Sequence, residues 1–259
     1  MSLYLMREEF IKKNPMNAVP TIKKSNYLAK QNKEVLPVCE TITVFTDEEI
    51  EKFKAEAYKK YPSGKPKHNQ ASAYILMLNT GLRTAEALGL VNSDIDLEKK
   101  VMHIQRGVKE AQKRDGTERK SGREIVVGKL KTASSKRIVP LNETAIQAII
   151  ELRNERYFGE DAPLIPDADG SFTRPLNLRK RFYSILDAAG IKKKGLHSLR
   201  HTFATKLVTG VRAEDGTVKA LTPRQVADLL GHTTSEITEL YYVKRNTDML
   251  MGVTNGFEL

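Results

Sequence analysis

The chain is poor in several things whose scarcity narrows its chemistry. A single cysteine, Cys39, stands among 259 residues, which excludes a disulfide framework and a Cys-rich zinc site. No apolar run approaches the roughly 20 residues that a membrane-spanning helix needs, so no membrane association is expected. No internal repeat is visible. The opening residues, MSLYLMREEF, are too short and too acidic for a secretory leader, and a cytoplasmic protein is the expectation.

Acidic residues are also outnumbered. The formal net charge is +11, with 29% charged and 40% apolar residues, a balance that suits a soluble globular chain rather than a disordered one. The excess is concentrated: from Lys99 to Arg137 thirteen Lys or Arg stand against four Asp or Glu. A segment of that density points to a polyanion such as DNA or RNA, or else forms a solvated basic loop.

Hydrophobic spacing and turn residues divide the chain into a lead-in and a larger folded part. Residues 1–43 read as a polar, Pro-containing tail and linker with one short helix at its start. Thr46, followed by acids in TDEEIEKF, carries a helix-start signature. HNQASAYILMLNTGLRTAEALGL, residues 68–90, predicts two helical segments broken at Gly81. Strand-like runs follow at KVMHIQR, REIVVGKL and KRIVPL, with the basic stretch KEAQKRDGTERKSGRE read as a loop. Helices are predicted over 142–157, 176–189, 197–209, 223–231 and about 235–246, with Pro223 after Thr222 as a capped start. The segment VTGVRAEDGTVKALTPRQ predicts an extra hairpin or loop. The fold class is therefore mainly α with one small antiparallel sheet.

The candidate chemistry centres on HSLRHTFAT. His197, Arg200 and His201 share one helix face, which could hold a metal, bind a phosphate or face solvent. The i, i+4 spacing of His197 and His201 suits zinc, but the adjoining positions hold no glutamate and Arg200 sets a fixed cation beside them. A phosphate suits the planar fork of arginine. Arg83 follows the break at Gly81, Lys131 falls where a strand meets a turn, and His232 lies just past a helix end. Tyr241 and Tyr242 follow it by nine and ten residues. Taken singly, each of these is more ordinarily a surface or core residue.

Taken in order, TGLRTAEALGL, KLKT…SSKRIVPL, HSLRHTFAT and LLGH…YYVKR resemble the tyrosine recombinases, or phage-type integrases, over residues 45–250. The resemblance implies the catalytic-domain fold of that family over residues 44–259, and NPMNAV in residues 1–43 resembles the end of its core-DNA-binding domain. It implies that Arg83, Lys131, His197, Arg200, His232 and Tyr242, with Tyr241 as second choice, surround one scissile phosphate. Lys131 would be the general acid, His197 the acid/base partner and the tyrosine the nucleophile of a 3′-phosphotyrosyl intermediate. His201 is read as a structural neighbour. No metal, ATP or other cofactor is implied.

The implied partners are double-stranded DNA with a core recombination site, further copies of the chain in a tetrameric synapse, and accessory proteins, in a bacterial or phage-encoded system. Lys113, Arg114, Arg119, Lys120, Arg123, Lys129, Lys136 and Arg137 are the expected DNA-binding residues. A type IB topoisomerase and a non-catalytic DNA-binding regulator are the alternatives.

Overall fold

A computed structural model describes residues 43–115, 118–129, 136–212 and 218–231. Their order is helix α1 (Asp47–Ala57), α2 (Ser72–Thr80), α3 (Thr84–Gly89), a 3-10 turn (Asn92–Asp94), strands β1 (Ile95–Asp96), β2 (Val101–Ile104), β3 (Arg106–Asp115), β4 (Glu118–Lys129) and β5 (Arg137–Pro140). Then come α4 (Glu143–Glu155), α5 (Pro175–Ala188), α6 (His197–Thr209), β6 (Val211–Arg212), β7 (Val218–Lys219) and α7 (Pro223–Leu230). The described residues are mainly helical, as the periodicity implied.

The helix starts are set by side chains that answer the unpaired first-turn N–H groups. Thr46 accepts from the Glu49 amide while Glu49 accepts from the Thr46 amide, 2.9 Å away, a reciprocal cap. Asn142 caps α4 through Ala145 N at 2.8 Å. Thr222 and Gln225 repeat the reciprocal cap at α7, where Pro223 supplies a first residue that has no N–H to lose.

Helix α2 is apolar all round, and Ala73 through Met77 are fully buried, so it runs through the core rather than over it. It packs against α4 and α6. Phe45, Phe53, Tyr74 and Phe182 join α1, α2 and α5, with the Tyr74 and Phe182 ring centroids 5.2 Å apart. The Tyr74 hydroxyl donates to the Leu178 carbonyl at 2.8 Å, which removes the cost of burying it.

Gly81 ends α2 with φ +64°, the left-handed geometry that glycine takes without strain. A Cβ there would lie 2.5 Å from Phe203 and 2.6 Å from Leu230. The break at Gly81 is therefore also where α6 and α7 close on the α2–α3 corner.

The small antiparallel component expected as one sheet is divided, among the described residues, into three. β1, β2 and β5 form a three-stranded antiparallel sheet, β3 pairs with β4, and β6 pairs with β7. Most of the stretch read as a basic loop forms the long β3–β4 hairpin, with Glu110 opposite Ile125 and Gln112 opposite Arg123. A two-stranded ribbon with solvent on both faces satisfies its backbone without an apolar face, so the alternation that marks a half-buried strand is missing. Its base is fixed: Val108 is buried, and Arg106 donates two hydrogen bonds to buried Asp94, at 2.8 and 3.3 Å. The segment between α6 and α7 forms the expected hairpin through β6 and β7. The helix expected near 235–246 lies outside the described residues, and so does the lead-in through residue 42.

Candidate active site

The site is built around a carboxylate that sequence reasoning passed over. Glu86 lies in the six-residue helix α3 and is 2% exposed. Its Oε2 accepts from the backbone N of Arg83 at 2.9 Å, and its Oε1 from Arg83 Nη1 at 2.7 Å. Arg137, from β5, meets the same carboxylate with two parallel bonds: Nη1 to Oε1 at 3.1 Å and Nη2 to Oε2 at 3.0 Å. The Arg200 Nη1 lies 4.0 Å from Oε2. Burial opposes ionisation here, but the hydrogen bonds and charge of Arg137, then the bonds from Arg83, overrule it and hold the carboxyl pKa at about 2.

A second convergence lies at the end of α7. Arg200 is 2% exposed, and its Nη1 donates to the Gly81 carbonyl and its Nη2 to the Leu230 carbonyl, both at 2.7 Å. Arg83 reaches the Leu230 and Gly231 carbonyls at a long 3.4 Å, and Arg137 Nε donates to the Leu229 carbonyl at 2.8 Å. Carbonyls at a helix C-terminus lack intrahelical partners and carry the negative end of the dipole, so three guanidinium groups collect there. Arg83 keeps a side chain 35% exposed, whereas that of Arg137 is 7% exposed.

His197 opens α6, and solvent reaches its side chain. Its imidazole is still sunk far enough among its neighbours that burial, followed by the charges of Arg200 and Arg83, lowers its pKa from 6.5 against the opposing pull of Glu86. The imidazole is therefore neutral at pH 7. His201 stacks edge-on against it, with ring centroids 4.6 Å apart. Among the described residues no group of three or more His, Cys, Asp or Glu side chains could hold a metal ion.

The structure thus brings together Arg83, His197 and Arg200 from the expected set, and adds Glu86. Arg137, expected on the DNA-binding hairpin, instead faces inward and is committed to Glu86 and α7. Lys113 and Arg123 are exposed on β3 and β4, and Lys136 is exposed just before β5. Arg114 lies in β3, while Arg119, Lys120 and Lys129 lie in β4. Lys131, His232, Tyr241 and Tyr242 lie outside the described residues. A signal for Glu86 was present: it is the one acid in the apolar run TAEALGL, three residues after Arg83. Arg137 shares strand parity with buried Val139, which places it on the inner face of β5.

Comparison with known proteins bears on the family and the fold. The sequence model of the Phage integrase family matches residues 43–248. A protein named tyrosine recombinase XerC-like, from Caldanaerobacter subterraneus subsp. tengcongensis, is 33% identical over 214 residues, covering 78% of this chain and 50% of that protein. The transposase from transposon Tn916 of Enterococcus faecalis is 26% identical over 230 residues, covering 81% of this chain and 49% of its own length. The chain thus spans about half the length of these curated relatives. The structure of the Tn1549 transposon integrase in complex with transposon right end DNA superposes with a TM-score of 0.65 at 20% identity, covering 98% of this chain and 75% of that one. At that identity the likeness establishes the fold.

Proposed function

The chain belongs to the phage integrase family, and on that premise we propose that it is a site-specific DNA recombinase of a mobile element or phage. It cleaves and rejoins double-stranded DNA at a core recombination site through a 3′-phosphotyrosyl intermediate. The observation that carries this reading is the convergence of Arg83 and Arg200, from separate helices, on one buried carboxylate and one helix end, with a neutral His197 in their field.

The chemistry follows from the groups. The hydroxyl of Tyr242, or of Tyr241, attacks the scissile phosphorus, and the bond from phosphorus to the 5′ oxygen breaks. Negative charge builds on the non-bridging oxygens, where the two arginines aim fixed donors; losing one such donor costs on the order of 100-fold in rate. A histidine held neutral at pH 7 can accept the tyrosine proton, which is the role assigned to His197. Lys131 gives a proton to the departing 5′ oxygen, and His232 donates to a phosphate oxygen. The phosphotyrosine keeps the bond energy, so a new 5′ hydroxyl can reverse the step without ATP. The charge stabilisation comes from side chains, and no metal is needed.

The remaining assignments rest on the family. Residues 1–43 are the end of a core-DNA-binding domain and 44–259 the catalytic domain and tail. Copies of the chain assemble on DNA in the cytoplasm as a tetrameric synapse, with accessory proteins. Lys113, Arg114, Arg119, Lys120, Arg123, Lys129 and Lys136 neutralise DNA phosphates.

The test is a nicked suicide duplex carrying the candidate attachment site, incubated with the chain in EDTA without nucleotide. A covalent adduct on a denaturing gel that Tyr242→Phe abolishes supports the mechanism and its nucleophile. Loss only in Tyr241→Phe moves the role by one residue. Salt-sensitive binding with no adduct in any buffer identifies a DNA-binding regulator instead.

A further inference from the structure

The Glu86 carboxylate holds two arginines, and the chemistry above uses only one. We propose that Arg137 is a positioning residue for DNA cleavage: it fixes Glu86, and through Glu86 the guanidinium of Arg83, while tying down the end of α7. The inference rests on the recombinase reading.

Three observations carry it. All three kinds of Arg137 nitrogen meet protein acceptors, with Nε on the Leu229 carbonyl at 2.8 Å and Nη1 and Nη2 on the two Glu86 oxygens at 3.1 and 3.0 Å. Next, Oε1 of Glu86 is the oxygen that also receives Arg83 Nη1. A bidentate arginine pins the carboxylate plane, so the direction of Arg83 is set by a plane that Arg137 holds. Finally, the Leu229 carbonyl lies two residues before Gly231, and His232 comes next in the chain. One guanidinium therefore braces both Arg83 and the last turn of α7, the helix that His232 follows in sequence.

Lysine cannot copy this. Its ammonium is a point charge without a planar fork, and it cannot span two carboxylate oxygens and a carbonyl of another helix in fixed geometry. Methionine removes the charge. The carboxylate then faces Arg83 and Arg200, with His197 nearby, and has lost its two-point partner. Burial then weighs more, and the carboxyl takes up a proton at higher pH than before.

The experiment measures adduct formation on the nicked duplex at saturating DNA, and duplex affinity between about 50 and 200 mM salt, for the wild-type chain, Arg137→Met and Arg137→Lys. Cleavage should fall roughly 100-fold in Arg137→Met, the scale of a misplaced catalytic group, with Arg137→Lys in between. The salt slope should stay unchanged, whereas loss of a phosphate contact lowers it by about one. Cleavage by Arg137→Met should also show an acid decline at higher pH than the His197 limb of the wild-type chain, because protonated Glu86 releases Arg83.

Should Arg137→Met fail to fold, Glu86→Gln with Arg137→Met removes both charges of the pair and carries the cleavage and salt-slope arms of the test. A folded variant that cleaves within about threefold of wild type, or whose salt slope falls by about one with its rate retained, overturns this inference alone. A wild-type chain that forms no adduct overturns the recombinase reading, and this inference with it.

Discussion

Arg200 Nη2 donates to the carbonyl of Leu230 at 2.7 Å, joining the interior of α6 to the last residue of α7. The same side chain donates to the Gly81 carbonyl at the end of α2. Three segments far apart in sequence are held by one buried guanidinium.

Arg200→Ala should therefore fail twice. It should remove the proposed phosphate donor, costing on the order of 100-fold or more in adduct formation, and it should take the Arg200 donors from the Gly81 and Leu230 carbonyls. Hydrogen bonds to a charged group are worth about 1.5–3 kcal/mol, so a chemical-denaturation midpoint should fall clearly. Arg200→Lys should recover part of the stability and little of the rate. Equal recovery of both would mean that Arg200 acts on DNA only as a charge.

Gly81→Ala tests the corner directly. The φ of +64° disfavours any L side chain, and the added methyl would meet Phe203 and Leu230 at 2.5 and 2.6 Å. Strain at such a position costs about 1–3 kcal/mol, and the overlap with core side chains adds to it. A fall of that size in urea unfolding is expected, with loss of adduct because the Gly81 carbonyl shifts away from Arg200. An unchanged midpoint would show that α6 and α7 do not close on this corner.

Glu86 makes stability depend on pH. Its folded pKa is about 2 against an ordinary 4.5, so the stability it contributes is present above 4.5 and is lost as pH falls towards 2. A shift of that size corresponds to roughly 3 kcal/mol. Glu86→Gln should lose a comparable amount at pH 7, since it strands the buried Arg137, and should show a flatter decline between pH 4.5 and 2. Glu56, also held at about 2 by His68, Lys59 and Lys67, titrates over the same window, so the background to compare is Glu56→Gln. Identical acid profiles for the Glu86→Gln and wild-type chains would remove Glu86 from the balance.

These residues also mark what was legible in the sequence. Helix α6 begins and ends at the residues its periodicity indicated, and Gly81 and the Thr222–Pro223 pair marked an end and a start, because caps and breaks are local chemistry. The phosphate reading of 197–201 came from the family resemblance, because residue types and spacing alone left metal, phosphate and solvent open. Glu86 was passed over because the one-sided apolar pattern of TAEALGL allows a tolerated surface acid as readily as a buried one. Only β5, brought in from about fifty residues away in sequence, supplies the second arginine that makes the burial stable. The long hairpin was legible only in REIVVGKL, the second half of β4; its polar remainder escaped because nothing apolar reports the pairing there.

His197 should shape the pH–rate profile. Burial and the nearby arginines depress its pKa below 6.5, so the neutral form that the proposed mechanism requires is lost only as pH falls below that value. Adduct formation at saturating DNA should be flat from pH 7 to 8 and decline on an acid limb lying below 6.5. His197→Gln should slow the reaction by about 100-fold, the low end of general acid–base contributions, and abolish that limb. An acid limb that survives in His197→Gln would assign the titrating group elsewhere.

The hairpin offers the cleanest separation of binding from chemistry. Lys113 and Arg123 are exposed on β3 and β4; the contact of Arg123 with the largely enclosed Glu110 is a long 3.7 Å, and Arg174 lies 4.0 Å from the same carboxylate. Either charge can therefore be removed with little effect on folding. If each meets one phosphate, Lys113→Gln and Arg123→Gln should each lower the slope of log affinity against log salt by about one, and the double variant by about two. The cleavage rate at saturating DNA should stay near wild type, because neither side chain reaches the Glu86 cluster. A slope that does not move would place the DNA on another face, and a fall in saturated rate at constant slope would make the hairpin part of the catalytic assembly.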